Sequence, residues 1–417
     1  CLVGSEMCIR DRHNGFIKVI TGIRRCGKSY LLNTLFYNHL KSENIAEDHI
    51  IKFAFDTAQD LLKIGENPII LDNEKEDRKV DPSKFLKWLM PQINGDEMYY
   101  LLLDEVQKLG AFESVLNGFL RNSNVDVYVT GNNSRFLSKD ILTEFEGRGD
   151  EVHILPLSFS EYYAFIQGDK SEAYDDYSVY GGLPAVALMT TEEQKITYLI
   201  SQMKNVYLRD IILRYSVQDE AALGEVMDVI ASGISTLTNP RKIASTMNSV
   251  HGTTTCDTTV DKYIGYAEEA FILTRVKRYN VKGRKYIGTP YKIYFEDIGL
   301  RNARLAFRQI EGTHIMENII YNELRFRGYQ VDVGTVESRE RDAGGKEVRI
   351  QREIDFIATL GSKKYYIQSA YAIPDKEKYE QETMSFERTT DSFKKIIIVE
   401  LSLIHISEPT RQAESRM

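Results

Sequence analysis

The stretch Phe16-Ile17-Lys18-Val19-Ile20-Thr21 runs directly into Gly22-Ile23-Arg24-Arg25-Cys26-Gly27-Lys28-Ser29, and a helix-forming run from Tyr30 to Leu40 follows. A short apolar strand, the spacing G-x-x-x-x-G-K-S and a helix together make the context of a P-loop, in which the strand aims the loop and the helix N-terminus faces phosphate. Gly22 and Gly27 permit backbone angles that gather several N–H groups around one anion. Lys28 is expected to reach the β- and γ-phosphates, with the Ser29 hydroxyl on magnesium. The nucleotide-binding set read from this stretch is Gly22, Arg25, Cys26, Gly27, Lys28, Ser29 and Tyr30. A chance glycine-rich turn would match the bare spacing but would not need the strand before it and the helix after it.

Further strands follow at Ile50 to Phe55, Met98 to Leu103 and Val125 to Thr130, separated by helix-forming segments such as Phe85 to Ile93. Continuous apolar runs alternating with helices predict an α/β fold whose parallel sheet is buried on both faces and binds ligand at the strands' carboxyl ends. Those ends carry polar residues. Asp104 is read as a magnesium ligand through water, and Glu105 as the group that polarises an attacking water. Asn132 or Asn133 would orient that water against the γ-phosphate. Phosphoryl transfer is largely positioning and electrostatics, so so few groups suffice. Taken alone, Asp104-Glu105 is simply a polar strand terminus; its place after a P-loop gives it meaning.

Several segments together resemble a bacterial and archaeal AAA+-type ATPase family whose members carry a C-terminal domain of unknown function. They are the P-loop stretch, Leu102-Leu-Asp-Glu-Val-Gln, Val129-Thr-Gly-Asn-Asn-Ser, Glu146-Gly-Arg and Leu155-Pro-Leu-Ser-Phe-Ser-Glu-Tyr. The likeness continues through Tyr180-Gly-Gly-Leu-Pro, Tyr207-Leu-Arg-Asp-Ile, Tyr294-Phe-Glu-Asp-Ile-Gly-Leu-Arg-Asn and Glu353-Ile-Asp-Phe. Asn132 departs from it, since the family often has serine there. The resemblance implies an ATP- and magnesium-dependent switch or motor, acting on DNA in one version. The alternative is a nucleotide-dependent regulatory module with little turnover. Arg148 is a candidate arginine finger acting on a neighbouring subunit of a homo-oligomer, with Arg24 and Arg25 inside the P-loop as alternatives; the plainer reading is a surface arginine or ion pair.

The chain has 417 residues, which predicts two to four domains, and its net charge of −8 steers it toward no polyanion as a whole. Its four cysteines have no metal spacing, which suits a reducing cytoplasm, and no apolar run is long enough for a membrane span. Residues 1–12 and 402–417 differ in character from the rest and are expected to be non-native flanks. The resemblance likewise implies that native N-terminal residues are missing.

Between the flanks, the sequence divides into an ATPase domain (13–170), a helical winged-helix domain (171–300) and a nuclease-like domain (301–401), the last expected to be truncated. The helix–turn–helix over 243–271 is followed by a hairpin. Within 275–286 this hairpin carries Arg275, Lys277, Arg278, Lys282, Arg284 and Lys285, with no acidic residue among them. A DNA-backbone contact there is weighed against packing on the ATPase core. Beyond residue 301, Glu317 on a helix, Asp355 on a strand and Gln368 on the next resemble the PD-(D/E)xK nuclease core and form a second expected metal site. Ala370 stands where that pattern has its lysine, so the sequence predicts a fold used for binding rather than efficient cleavage.

Overall fold

Ile17–Thr21 forms β1, buried at every position. The computed structural model describes residues 13–68, 79–131, 145, 147–252, 254–341, 347–389 and 391–400. These residues divide into two compact units. The first runs through Ile166 and also takes in Gly182–Thr190 and Gly265–Ile272; the second holds the remainder.

In the first unit, β1 joins β2 (Ile50–Ala54), β3 (Tyr99–Asp104), β4 (Val125–Thr130) and β5 (Gly149–His153) in the order β2-β3-β4-β1-β5. Every pairing is parallel. The continuous apolar runs follow from that, because helices cover both faces of such a sheet. Val19, Phe53, Leu101, Leu103 and Val129 form one core, packed against Phe85, Leu89 and Leu116. With β4 interposed, the end of β1 and the acidic end of β3 lie two strand spacings apart, about 10 Å.

Two elements depart from the sequence reading. The helix expected over 85–93 is Pro82–Leu89, because Asp81 caps Ser83 N–H and Pro82 supplies the first turn. Strand β5 was not anticipated. It is an edge strand of mixed polarity, Gly-Asp-Glu-Val-His, in which Val152 alone is buried, so it lacks the apolar run of its neighbours.

The second unit contains the helices Glu220–Ser232 and Pro240–His251 and the first part of Asp257–Glu269. Asn239 caps the second helix at Lys242 N–H. Asn248 closes the turn after it, accepting from Thr255 N–H and donating to Thr255 O. The hairpin follows as β6 (Leu273–Asn280) and β7 (Lys285–Phe295). It is incorporated into a larger sheet: β6 also pairs in parallel with β8 (Gln330–Arg341). With β9 (Glu347–Leu360), β10 (Lys363–Ala370) and β11 (Lys394–Val399) the order is β11-β10-β9-β8-β6-β7, so one sheet spans both sides of residue 300. The helix Gly312–Phe326 packs one face through Met316, Ile320 and Leu324 against Val276, Val333 and Phe356. Phe386, from the helix Lys376–Glu387, packs the other face against Val336, Ile354 and Tyr366. Among the described residues no helix is long and apolar enough to cross a membrane.

Gly22 leaves β1 with φ +139°, and a Cβ there would lie 2.1 Å from the Ile154 carbonyl oxygen. Both the angle and the backbone contact demand glycine. Gly22→Ala should therefore lower the thermal midpoint by about 5 °C or more. Gly118→Ala, in the helix Phe112–Phe119 with nothing within 4 Å, should leave it unchanged or slightly raised. Parallel melting curves of the two variants check this.

Candidate functional site

The P-loop spans the gap between β1 and a helix over 28–42. Gly27 takes φ +106° at the helix start, and the turns over Leu31–Phe36 are π-type. Lys28 is 4% exposed, and its Nζ donates to the carbonyls of Gly22 and Ile23, each at 2.9 Å. The ammonium thus ties the loop to itself with two of its three donors. Cys26 is buried beneath the loop, while Arg25, Ser29 and Tyr30 are exposed. An exposed hydroxyl at Ser29 and a buried cation at Lys28 put both chemistries of the motif at one helix start.

Across the sheet, Asp104 and Glu105 are both buried at the end of β3. Asn33, from the π-type stretch, donates to Asp104 Oδ2 at 3.1 Å, and the Thr130 hydroxyl donates to Asp104 Oδ1. The same Thr130 oxygen accepts Glu105 N–H at 3.0 Å, so one hydroxyl at the end of β4 fixes both acidic residues. Glu105 adopts φ +54°, a left-handed bend that carries its side chain off the strand's alternation. Gln107 Nε2 donates to the Glu105 carboxylate. Burial pushes the Glu105 carboxyl above its ordinary value, opposed by Lys28 and by the Gln107 hydrogen bond. Asp56, just beyond β2, is likewise raised, by burial and then by the charge of Asp104. Three carboxylates and Lys28 therefore share one electrostatic neighbourhood, a setting in which perturbed acids are expected to have work to do.

Of the sequence-predicted residues, the structure gathers Lys28, Asp104 and Glu105. Asn132, Asn133 and residues 134–144 lie outside the described residues. Arg148 is exposed, and its carbonyl accepts from Ile17 N–H at 2.9 Å. That places it at the start of β1, at the opposite end of the sheet from the P-loop. Asn33, Asp56, Gln107 and Thr130 escaped sequence reading. Gln107, two residues after Glu105, offered the nearest signal.

The donors suit magnesium: a hydroxyl and carboxylate oxygens, hard ligands that leave positions for water and phosphate. Among the described residues no group of three or more His, Cys, Asp or Glu side chains is arranged to hold a metal by itself.

In the second unit Glu317 and Asp355 do come together, around an ammonium. Lys292 Nζ, from β7, lies 2.8 Å from Glu317, 2.6 Å from Glu353 and 3.4 Å from Asp355. Tyr294 donates to Glu317 at 2.6 Å, and Ser369 N–H donates to Asp355 at 2.9 Å. The Gln368 side-chain carbonyl is buried and has no partner among the described residues. The cation beside these carboxylates therefore comes from β7 and not from position 370. Burial works against the Lys292 charge, but Glu317, Asp355 and Glu353 hold its value above the ordinary range. One ammonium does not offset three carboxylates, and burial pushes Glu317 up to about 7 in spite of it.

The sheet order and the P-loop geometry define a P-loop ATPase fold of the AAA type. The family described as "AAA domain" matches residues 14–163, and a domain of unknown function matches residues 171–311. An uncharacterized Haemophilus influenzae protein is 31% identical over 398 residues, covering 94% of this chain and 91% of that protein. A Methanocaldococcus jannaschii protein is 24% identical, over 91% of this chain and 79% of its own length. The chain belongs to the family of the Haemophilus influenzae protein. Among solved structures, a Walker-type ATPase of Pyrococcus abyssi is similar at 14% identity, covering 73% of this chain and 95% of that one, with a TM-score of 0.46. AMPPCP-bound DnaA from Aquifex aeolicus is similar at 15% identity, covering 64% and 86%, with a TM-score of 0.29.

The buried cluster makes a pH prediction. Glu317 binds its proton at about 7 folded against 4.5 ordinarily, so its stabilising contribution is complete below the ordinary value and is lost as pH rises through 7. Urea unfolding between these limits should show stability falling as pH rises, and Glu317→Gln should flatten that fall. Lys292→Met, which strands the carboxylates, should destabilise by about 3–5 kcal/mol at alkaline pH and by less in acid.

Proposed function

We propose that the first unit binds ATP with magnesium and hydrolyses it, the protein working as an AAA+-type switch or motor. The observation that carries this reading is the convergence of Lys28, Asp104 and Glu105, buried and hydrogen-bonded, at the carboxyl end of one parallel sheet. The backbone N–H groups from Gly22 to Lys28 would cradle phosphate, and Lys28 would exchange its loop carbonyls for phosphate oxygens. Ser29 and Asp104 would hold magnesium, which when bound neutralises phosphate charge. Thr130 and Asn33 keep Asp104 aimed. Glu105, its carboxyl oriented by the left-handed backbone and by Gln107, would accept the proton of the attacking water. Arg148 is exposed and remote from its own P-loop, which suits a finger offered to a neighbouring copy. One observation favours the slower alternative, a nucleotide-dependent regulatory module: Gln107 already occupies the Glu105 carboxylate, and both Asp104 oxygens are engaged. The second unit is read as a nuclease-like fold without efficient cleavage.

Lys28→Ala should weaken ATP binding by about tenfold or more, whereas Glu105→Gln should bind normally and turn over about a hundredfold more slowly or worse. Because burial raises the Glu105 carboxyl, turnover should fall with acidification at a pH above the ordinary carboxylate range. Calorimetry and steady-state phosphate release measure these, and full-length protein that binds no ATP overturns the reading.

A further inference from the structure

The net charge of −8 hides an uneven distribution in the second unit. Two cations of the hairpin are engaged elsewhere: Arg275 pairs with Asp261 at 2.5 Å, and Arg278 is buried and donates to Pro290 O. Lys282, Arg284 and Lys285, at its tip, are exposed and meet no carboxylate among the described residues. The same holds for Lys363, Lys394 and Lys395 on the strands at the far side of the sheet, whereas the half-buried Lys364 lies within electrostatic reach of Asp332. Strand alternation turns Lys364 and Lys395 onto the face of Tyr366, and Lys363 and Lys394 onto the opposite one.

Aromatic rings link the two groups. Tyr286 (61% exposed) meets Tyr279 edge-on, with ring centres 5.3 Å apart, and the two pair in register on one face. Lys364 Nζ lies 5.6 Å from the centre of the Tyr279 ring and 5.1 Å from that of Phe393. Phe393 is itself exposed and meets Tyr366 edge-on at 6.1 Å, and Tyr366 pairs in register with Lys395. A row from Tyr286 through Tyr279 and Lys364 to Phe393 therefore crosses this face, with Tyr366 buried at its end. The two acidic residues beside it already serve as acceptors, Asp332 for Tyr286 and Asp391 for Tyr366.

We infer that the part of this face beside the helix Lys376–Glu387 binds single-stranded nucleic acid, with Tyr286 and Phe393 stacking bases and Lys282, Arg284, Lys364 and Lys395 following the backbone. Unpaired cations alone would fit any polyanion. Exposed rings spaced between them favour a strand whose bases are free to stack, which duplex and acidic polypeptide do not offer. The surface lies wholly within the second unit, so the inference does not rest on the proposed ATPase activity, and nucleotide-free protein suffices to test it.

The experiment is fluorescence anisotropy of a labelled oligothymidylate of about 20 nucleotides against the full chain, with salt raised from about 50 to about 200 mM. Binding should weaken with salt, and replacing Lys282, Arg284 and Lys285 together by glutamine should reduce the log–log slope by about 2. Tyr286→Ala and Phe393→Ala should each weaken binding about fivefold or more and leave the slope unchanged. Should Phe393→Ala lower the melting temperature, Phe393→Leu keeps the packing and removes the ring. No binding at the lowest salt, an unchanged slope in the triple variant, or tighter binding of a matched duplex would each overturn the inference, as would equal competition by polyglutamate.

Discussion

Charge burial governs both halves of this protein. Lys28, Asp104 and Glu105 in the first unit and Lys292, Glu317 and Asp355 in the second are each at least nine-tenths buried. A charge withdrawn from water is tolerated only where other groups satisfy it, and here those groups come from different strands and helices. Thr130 can bridge Asp104 and Glu105 only if β4 lies beside β3, and Asn33 reaches Asp104 only from the P-loop helix. The strand order is thereby fixed by polar requirements as well as by apolar packing. The polar network selects one arrangement among those a set of apolar strands allows.

The two clusters answer the same requirement differently. In the first unit the cation is held on loop carbonyls, and the carboxylates rest on neutral donors: two side-chain amides and a hydroxyl. That leaves positive and negative groups separately available. In the second unit the ammonium sits in direct ion-pair contact with its three carboxylates and is consumed by them. The first arrangement suits a site that exchanges partners; the second suits a core.

How much of this was legible in sequence follows from how far apart the partners lie along the chain. The P-loop reads plainly because strand, loop and helix are contiguous and each constrains its neighbours. The buried parallel strands read well because their runs are uniformly apolar. Strand β5 did not, because an edge strand needs no such run. Thr130 and Asn33 are ordinary residues whose role exists only once the sheet order is known. Lys292 lies 25 residues from Glu317 and 63 from Asp355, and a motif reading anchored on Ala370 had no route to it. A lone lysine between Tyr291 and Ile293 in an apolar strand was the available sign. The hairpin, too, reads locally as a wing; its parallel partner arrives only at Gln330.

That parallel pairing bears on what counts as a module. β6 acquires its second neighbour only after the chain has passed through the helices Ile298–Arg304 and Gly312–Phe326 and entered β8. The domain of unknown function, matched over 171–311, ends before that partner is made. A piece cut at that boundary would present β6 as a raw edge of unpaired N–H and C=O groups, a template for joining a second copy. The same holds during synthesis, when the hairpin emerges well before its neighbour. The unit of inheritance and the unit of folding therefore need not coincide in this chain, and the second is the longer.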